Sequence, residues 1–247
     1  LDNLLAIQVS QLSRFLSGYP ALNKLSFSVP YGHVFGLLGP NGSGKTTTLR
    51  VLAGLLAPGS GQVHVCGYHI PSQLDEIRSS VGFLTYGMKL YGNLTPRENL
   101  QFFGALRKIK KEQLETRIQN LISDFEMSTF CNKKFEKLSS GQQQRATIAS
   151  IILHDPKILL LDEITLSLDI VSSSFIMDFV KEEKRRGKCI IFSTHNMSEA
   201  EYLSDKIGFI FKGSILDQGT SSELIQKYGV KNLTEAFLAA LSIGERE

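Results

Sequence analysis

Val34-Phe35-Gly36-Leu37-Leu38 runs directly into Gly39-Pro40-Asn41-Gly42-Ser43-Gly44-Lys45-Thr46-Thr47, and this stretch decides how the rest of the chain is read. Its apolar half has the look of a buried strand. Thr46 to Leu56 then places Leu49, Leu52, Ala53 and Leu56 on one helical face, and Pro58-Gly59 stops it. The turn between strand and helix, Gly39 to Thr46, matches G-x-x-x-x-G-K-[ST]. Glycines let consecutive backbone N–H groups turn toward a phosphate, and a helix N-terminus adds partial positive charge. Lys45 is placed to reach the β- and γ-phosphates, and the Thr46 hydroxyl to ligate Mg²⁺. By average residue frequencies, about one chain in a hundred of this length would carry the motif by chance. The strand–loop–helix setting lowers that further.

Outward from this loop, strands and helices alternate. Gln62-Val63-His64-Val65 reads as a strand, as do Ile158-Leu159-Leu160-Leu161 and Cys189-Ile190-Ile191-Phe192-Ser193. A helix is expected over about 172–186. Ile207 to Phe211 and Ile215 to Asp217 bracket a hairpin turn at Lys212-Gly213-Ser214. Residues 95–153 read as helices, opened by Thr95 as N-cap, Pro96 at the first position and Glu98 at the third. The pattern predicts an α/β fold with a parallel sheet and a helical insertion near residues 87–157. Short helices are expected from Gln226 onward.

Ligands of open α/β sheets bind at the carboxyl ends of the strands. Asp162-Glu163 ends one buried strand and His195 ends the next. With a phosphate loop upstream, Asp162 is placed to hold Mg²⁺ through water, and Glu163 to orient and deprotonate the attacking water. His195 is placed for a γ-phosphate contact, against the alternative of a structural histidine. Leu138-Ser139-Ser140-Gly141-Gln142 precedes a helical run with Ser139 as N-cap, which makes either a second anion site or an ordinary capped helix.

Composition narrows the classes. The 247 residues are 42% hydrophobic and 21% charged, which excludes a disordered tail, and no apolar run approaches the ~18 residues of a membrane span. The net charge of +3 leaves no electrostatic footprint for nucleic acid. Cys66, Cys131 and Cys189 lie far apart and read as reduced thiols of a cytosolic protein. Leu1 to Ser10 carries Asp2 and Asn3 and no basic segment, a poor secretion signal.

Gly39 to Thr46, Leu138 to Gln142, Leu161-Asp162-Glu163, Ser167-Leu168-Asp169 and His195 together resemble, in order and spacing, the ATP-binding subunit of an ABC transporter. The resemblance covers about Ile7 to Gly219. Gly82-Phe83-Leu84, Leu94 to Leu100 and Asn232 to Phe237 are similar to the NatA-type branch, which serves sodium-export and related ABC-2-like transporters. The resemblance implies a P-loop NTPase (RecA-like) core, over about residues 1–86 and 158–225, with an N-terminal antiparallel β region. It also implies an α-helical lobe at 87–157 and a short helical extension at 226–247. Two cassettes would pair head to tail, a homodimer by preference since both half-sites are present. Each ATP would lie between Gly39, Pro40, Asn41, Gly42, Ser43, Gly44, Lys45, Thr46 and Thr47 of one chain and Ser139, Ser140, Gly141 and Gln142 of the other. Asp169 would contact the facing subunit. A separate transmembrane permease would dock on the lobe, where Leu90, Tyr91, Leu94, Phe102 and Phe103 offer apolar area, and hold the cassette at the cytoplasmic face of the membrane. The basic clusters Lys108-Ile109-Lys110-Lys111 and Lys184-Arg185-Arg186 are either headgroup contacts or solvated helix faces. A soluble ABC ATPase acting on nucleic acid or ribosomes is the rival reading, and nothing in the chain resembles the insertions or zinc-binding cysteines of that class.

Several positions depart from the family pattern. Tyr86 stands where Gln is usual and is a poor Mg²⁺ ligand, or else a core aromatic. Ile164 replaces the usual Pro, restoring a backbone donor and loosening φ near Glu163. Ser140 and Ser167 replace glycines. Phe15 has the spacing to stack on adenine, with Tyr19 the alternative.

Overall fold

A computed structural model describes residues 4–244. The segment Leu1–Ser10, read above as a poor secretion signal, and the extension to residue 247 therefore fall partly outside the described residues.

The chain opens on a long hairpin. β1 (Leu5–Leu16) and β2 (Tyr19–Pro30) pair antiparallel, turning through Ser17 and Gly18 at positive φ. β3 (Val34–Leu38) is buried along its whole length and feeds α1 (Lys45–Leu52). β4 (Ser60–Val65) and β5 (Tyr68–Ile70) return beside β1, giving a four-stranded sheet in the order β2-β1-β4-β5. The antiparallel region is thus built from the N-terminus and from residues that follow the phosphate loop. α2 (Leu74–Ser80) leads into β6 (Val81–Leu84).

Helices follow: α3 (Pro96–Leu106), α4 (Lys111–Asp124) and, after a 3₁₀ turn at Phe135–Lys137, α5 (Ser140–Ile152). The chain then alternates through β7 (Ile158–Asp162), α6 (Ile170–Arg185), β8 (Cys189–Thr194) and α7 (Met197–Leu203). It ends with β9 (Lys206–Phe211), β10 (Ser214–Gly219), α8 (Ser221–Tyr228) and α9 (Leu233–Gly244). The second sheet runs β10-β9-β3-β8-β7-β6, parallel throughout except for the β9–β10 hairpin.

Among the element bounds that differ from the periodic reading, three have a clear physical cause. α1 stops at Leu52, short of Leu56, because Gly54 adopts left-handed backbone (φ 65°) before Pro58 is reached. α6 starts two residues early, at Ile170, because Asp169 caps it by accepting from the Ser172 N–H at 2.8 Å. α8 runs across the expected break at residue 225 and packs with α9 against β9 and β10 through Phe209, Leu224, Leu233 and Phe237.

The core splits across the parallel sheet. Leu12, Leu22, Leu25, Leu49, Val63 and Ile191 fill the space under the antiparallel sheet. Leu100, Ile118, Phe135, Ile148, Leu161 and Phe192 join the helical segment to the opposite face. Each such fully buried side chain contributes roughly 1.5–3 kcal/mol. This anchoring holds the carboxyl ends of β3, β6, β7 and β8 along one rim.

Candidate functional site

β3 ends in the phosphate loop, and the backbone there explains its glycines. Gly42 and Gly44 take positive φ (79° and 108°), which side-chain-bearing residues rarely adopt. At Gly39 a Cβ would stand 2.1 Å from the Ile210 carbonyl oxygen, so only glycine fits against β9. Gly44 caps α1 without a side chain, and the first turn holds no acidic residue. The positive end of the α1 dipole therefore faces the loop uncompensated. The Lys45 ammonium is buried, donates to the carbonyls of Gly39 (2.7 Å) and Pro40 (3.1 Å), and lies 3.5 Å from Glu163 Oε1.

β7 delivers Asp162 beside Ser193 of β8, its register partner. Asp162 is buried and accepts from three hydroxyls: Thr46 on both oxygens (3.0 and 2.9 Å), Ser193 on Oδ1 (2.5 Å) and Thr85 on Oδ2 (3.2 Å). Hydrogen bonds to an ionised carboxylate are among the stronger ones. Glu163 follows with φ at 51°, its N–H held by the Ser193 carbonyl (3.1 Å) and hydroxyl (3.2 Å). Strain of this kind at a non-glycine residue is kept only where the surroundings enforce it. Glu163 Oε2 meets His195 Nδ1 at 2.9 Å, which leaves the other ring nitrogen of His195 unengaged. Glu163 Oε1 is buried without a hydrogen-bond partner, as is the Ser43 hydroxyl.

Asn41, Gly42, Gly44, Lys45, Thr46, Thr47, Asp162, Glu163 and His195 thus line one cavity of about 620 Å³. Ala21, Arg50, Thr85, Tyr86 and Leu166 complete its wall. Arg50, Ala21, Thr85 and Ser193 were not singled out from the sequence. Thr85 and Ser193 were findable, since each sits at the carboxyl end of a strand flanking β7. Tyr86 is 57% exposed and lines the cavity, so it is not a core aromatic. Ile164 is buried among Leu161, Ile176 and Phe192, and its carbonyl accepts from Gln144 Nε2 at 3.2 Å. Burial therefore restrains the segment that a proline would have stiffened. Ser167 sits at φ 66°, where glycine would be unstrained.

Other expected residues lie apart. Ser139, Ser140, Gly141 and Gln142 open α5 in a full capping box and do not line the cavity. Gly141 packs so close to α6 that a Cβ would meet the Ser172 hydroxyl at 2.3 Å. Asp169 is exposed, its carboxyl held below the ordinary range by the Ser172 N–H and hydroxyl. Neither Phe15 (63% exposed) nor Tyr19 (78% exposed) lines the cavity; both stand out on the β1–β2 hairpin. On the helical segment, Leu90 is core, whereas Tyr91 and Phe102 are exposed and stack edge to face, with Phe103 beside them. Lys184, Arg185 and Arg186 are ion-paired within the chain, to Asp205, Glu182 and Glu183, and Lys108, Lys110 and Lys111 are solvent-exposed. The three cysteines are free thiols.

The donor set suits a hard divalent cation. Thr46 and Asp162 present adjacent oxygens, while Glu163 Oε1 is buried beside the Lys45 ammonium at 3.5 Å. Among the described residues no group of three or more His, Cys, Asp or Glu side chains can hold a metal alone. The adjacent Thr46 and Asp162 oxygens could hold Mg²⁺, which is commonly bound through one or two protein oxygens together with substrate phosphates and water.

Comparison with known proteins gives the same reading from outside. The family model described as "ABC transporter" matches residues 22–166. The ABC transporter ATP-binding protein NatA of Bacillus subtilis is 36% identical over 225 residues, covering 91% of this chain and 92% of the relative. A solved ATP-binding subunit of an ABC transporter superposes with a TM-score of 0.87 at 25% identity, covering 96% of this chain and 99% of the other. The ATP-binding cassette MJ0796, solved as a dimer bound to ADP and Pi, gives a TM-score of 0.77 at 26% identity over 87% of this chain and 98% of its own.

Proposed function

The chain belongs to the ABC transporter ATP-binding family, and on that premise we propose that it closes on a second copy of itself around ATP and so drives a separate membrane permease. It is the ATP-binding and ATP-hydrolysing subunit of such a transporter. The observation that carries the mechanism is the meeting of the phosphate loop, the Thr46–Asp162 pair and the Glu163–His195 pair in one cavity.

In this reading the loop amides and the α1 N-terminus hold the phosphates, and Lys45 exchanges its carbonyl partners for phosphate oxygens. Thr46 directly, and Asp162 through water, would hold Mg²⁺, which would supply charge neutralisation to the bound phosphates. Glu163, turned toward the cavity by its left-handed backbone, accepts the proton of the attacking water. His195 holds that carboxylate through Nδ1 and presents its other nitrogen to the γ-phosphate. The hydroxyls of Thr46, Thr85 and Ser193 keep Asp162 fixed while this happens.

Dimer action is supported by the position of Ser139–Gln142 and Asp169. All lie outside the cavity, and Ser139, Ser140 and Asp169 are exposed, which leaves that edge open to complete the site of a facing copy. The exposed Tyr91–Phe102 pair offers the permease an apolar surface. Among the described residues no helix is long and apolar enough to cross a membrane. Similarity to the sodium-export branch supports export of ions or small molecules, with the cassette at the cytoplasmic membrane face.

Glu163→Gln tests the mechanism. It keeps the shape of the side chain and removes the base, so phosphate release should fall at least ~100-fold while ATP binding persists. Phosphate release and equilibrium nucleotide titration read the two quantities separately. Turnover near that of the parent protein overturns the assignment.

A further inference from the structure

We propose that Glu199 is a positioning residue that ties the loop carrying Glu163 to the strand end carrying His195. The proposal rests on the roles given above to Glu163 and His195.

Glu199 occupies the third position of α7, behind the N-cap Asn196. An acidic or amide residue at that position ordinarily reaches back to the N-cap N–H and closes a capping box. The same chain does this three times. Glu98 accepts from the Thr95 N–H (2.8 Å), Gln142 from the Ser139 N–H (3.2 Å) and Glu223 from the Thr220 N–H (2.8 Å). At α7 the pattern is broken. The Asn196 N–H donates to the Thr194 hydroxyl at 3.0 Å, and Asn196 Oδ1 alone caps the helix, accepting from the N–H groups of Ser198 and Glu199.

The carboxylate of Glu199 is thereby free, and both its oxygens are used elsewhere. Oε1 accepts from the Thr165 hydroxyl and Oε2 from the Thr194 hydroxyl. Thr165 lies two residues after Glu163, and Thr194 immediately precedes His195. Glu199 is 5% exposed and Thr194 1%. No cation among the described residues forms an ion pair with Glu199. A buried carboxylate without a counter-ion is costly, and two hydroxyl donors offset that cost only in part. Its place is explained by what it joins. The other direct links between the two catalytic segments at this rim are the Glu163 N–H on Ser193, the Ser193 hydroxyl on Asp162 and the Glu163–His195 contact itself. Without Glu199, Thr165 loses its side-chain anchor, and the strained turn at Glu163 loses this tie to the β8 end but keeps its backbone bonds and the burial of Ile164. Small displacements of a reacting group lower rate far more than they lower binding.

The test uses Glu199→Ala, Thr165→Val and Thr194→Val, with Glu199→Gln as the conservative variant that can still bond both threonines. Expected are a fall in kcat of about 10- to 100-fold for Glu199→Ala, ATP affinity within about twofold of the parent by titration, and partial recovery in Glu199→Gln. Combining Thr165→Val with Glu199→Ala should cost little beyond Glu199→Ala alone, because both cut the same tie. In a Glu163→Gln background Glu199→Ala should leave the residual rate unchanged. Should Glu199→Ala fail to fold, the isosteric Thr165→Val carries the same kcat test. Parental kcat in the folded variants, or equal losses in kcat and affinity, overturns the proposal. If instead Glu163→Gln hydrolyses ATP normally, the assignment of the base fails, which is a separate and distinguishable result.

Discussion

His154 gives the sharpest quantitative handle on the fold. It follows α5, and its Nε2 donates to the Val81 carbonyl at 3.2 Å, where β6 begins. Burial first, and then the positive charges of Arg107 and Lys188, push its pKa from the ordinary 6.5 down to about 4, against smaller opposing pulls from the Val81 hydrogen bond and from Asp155. The folded protein therefore binds the proton more weakly than the unfolded chain. The stability this residue contributes is complete above the unfolded value and is lost as pH falls from 6.5 toward about 4. At about 1.4 kcal/mol per unit the full gap is about 3 kcal/mol, and the solvent still reaching the ring reduces it to about 2 kcal/mol. Between about pH 7.5 and about pH 5.5, where most carboxylates stay ionised, the loss amounts to about 1 kcal/mol. Urea denaturation of the parent and of His154→Gln at both pH values isolates it. The variant keeps an amide donor for Val81 but takes up no proton, so its stability should change less across the window by that amount. Equal pH slopes in the two proteins refute the burial argument.

The phosphate loop supplies two further predictions. Lys45→Ala removes the only ammonium among the cavity-lining residues and should weaken ATP binding at least about tenfold, read by fluorescent-nucleotide titration; unchanged affinity contradicts the loop assignment. Gly39→Ala places a Cβ 2.1 Å from the Ile210 carbonyl oxygen, a backbone atom that cannot swing aside. It should cost about 1–3 kcal/mol of stability together with nucleotide binding, and an unaltered denaturation midpoint contradicts the close packing of loop and β9.

Much of the site was legible because its parts are local. The glycines at 42 and 44 are needed by their own backbone angles, and Thr95-Pro96 announces α3 within one turn. Buried strands ending in Asp162-Glu163 and in His195 imply a shared sheet edge by the rule for parallel sheets. Less was legible where geometry depends on distant partners. Phe15 has the spacing for adenine stacking, yet it stands at a hairpin whose tip position no local pattern sets. Leu90 and Tyr91 look alike in sequence, but one is core and the other surface. The basic run at Lys184-Arg185-Arg186 is neutralised by acids from its own helix and from Asp205, which composition alone does not reveal.

What the sequence determined alone is the glycine-rich strand-to-helix loop and the α/β alternation, since both rest on contacts within a few residues or on side-chain periodicity. Tertiary structure decided how the site around that loop is held. Thr46 and Asp162 are 116 residues apart, and Glu163 and His195 are 32 apart. Only the strand order β3-β8-β7-β6 and its register bring them to hydrogen-bonding distance. The same packing turns Glu199 away from its own helix cap and keeps Ser139–Gln142 out of the cavity. No local rule encodes either outcome, because each depends on which buried faces meet when the sheet closes over its two cores.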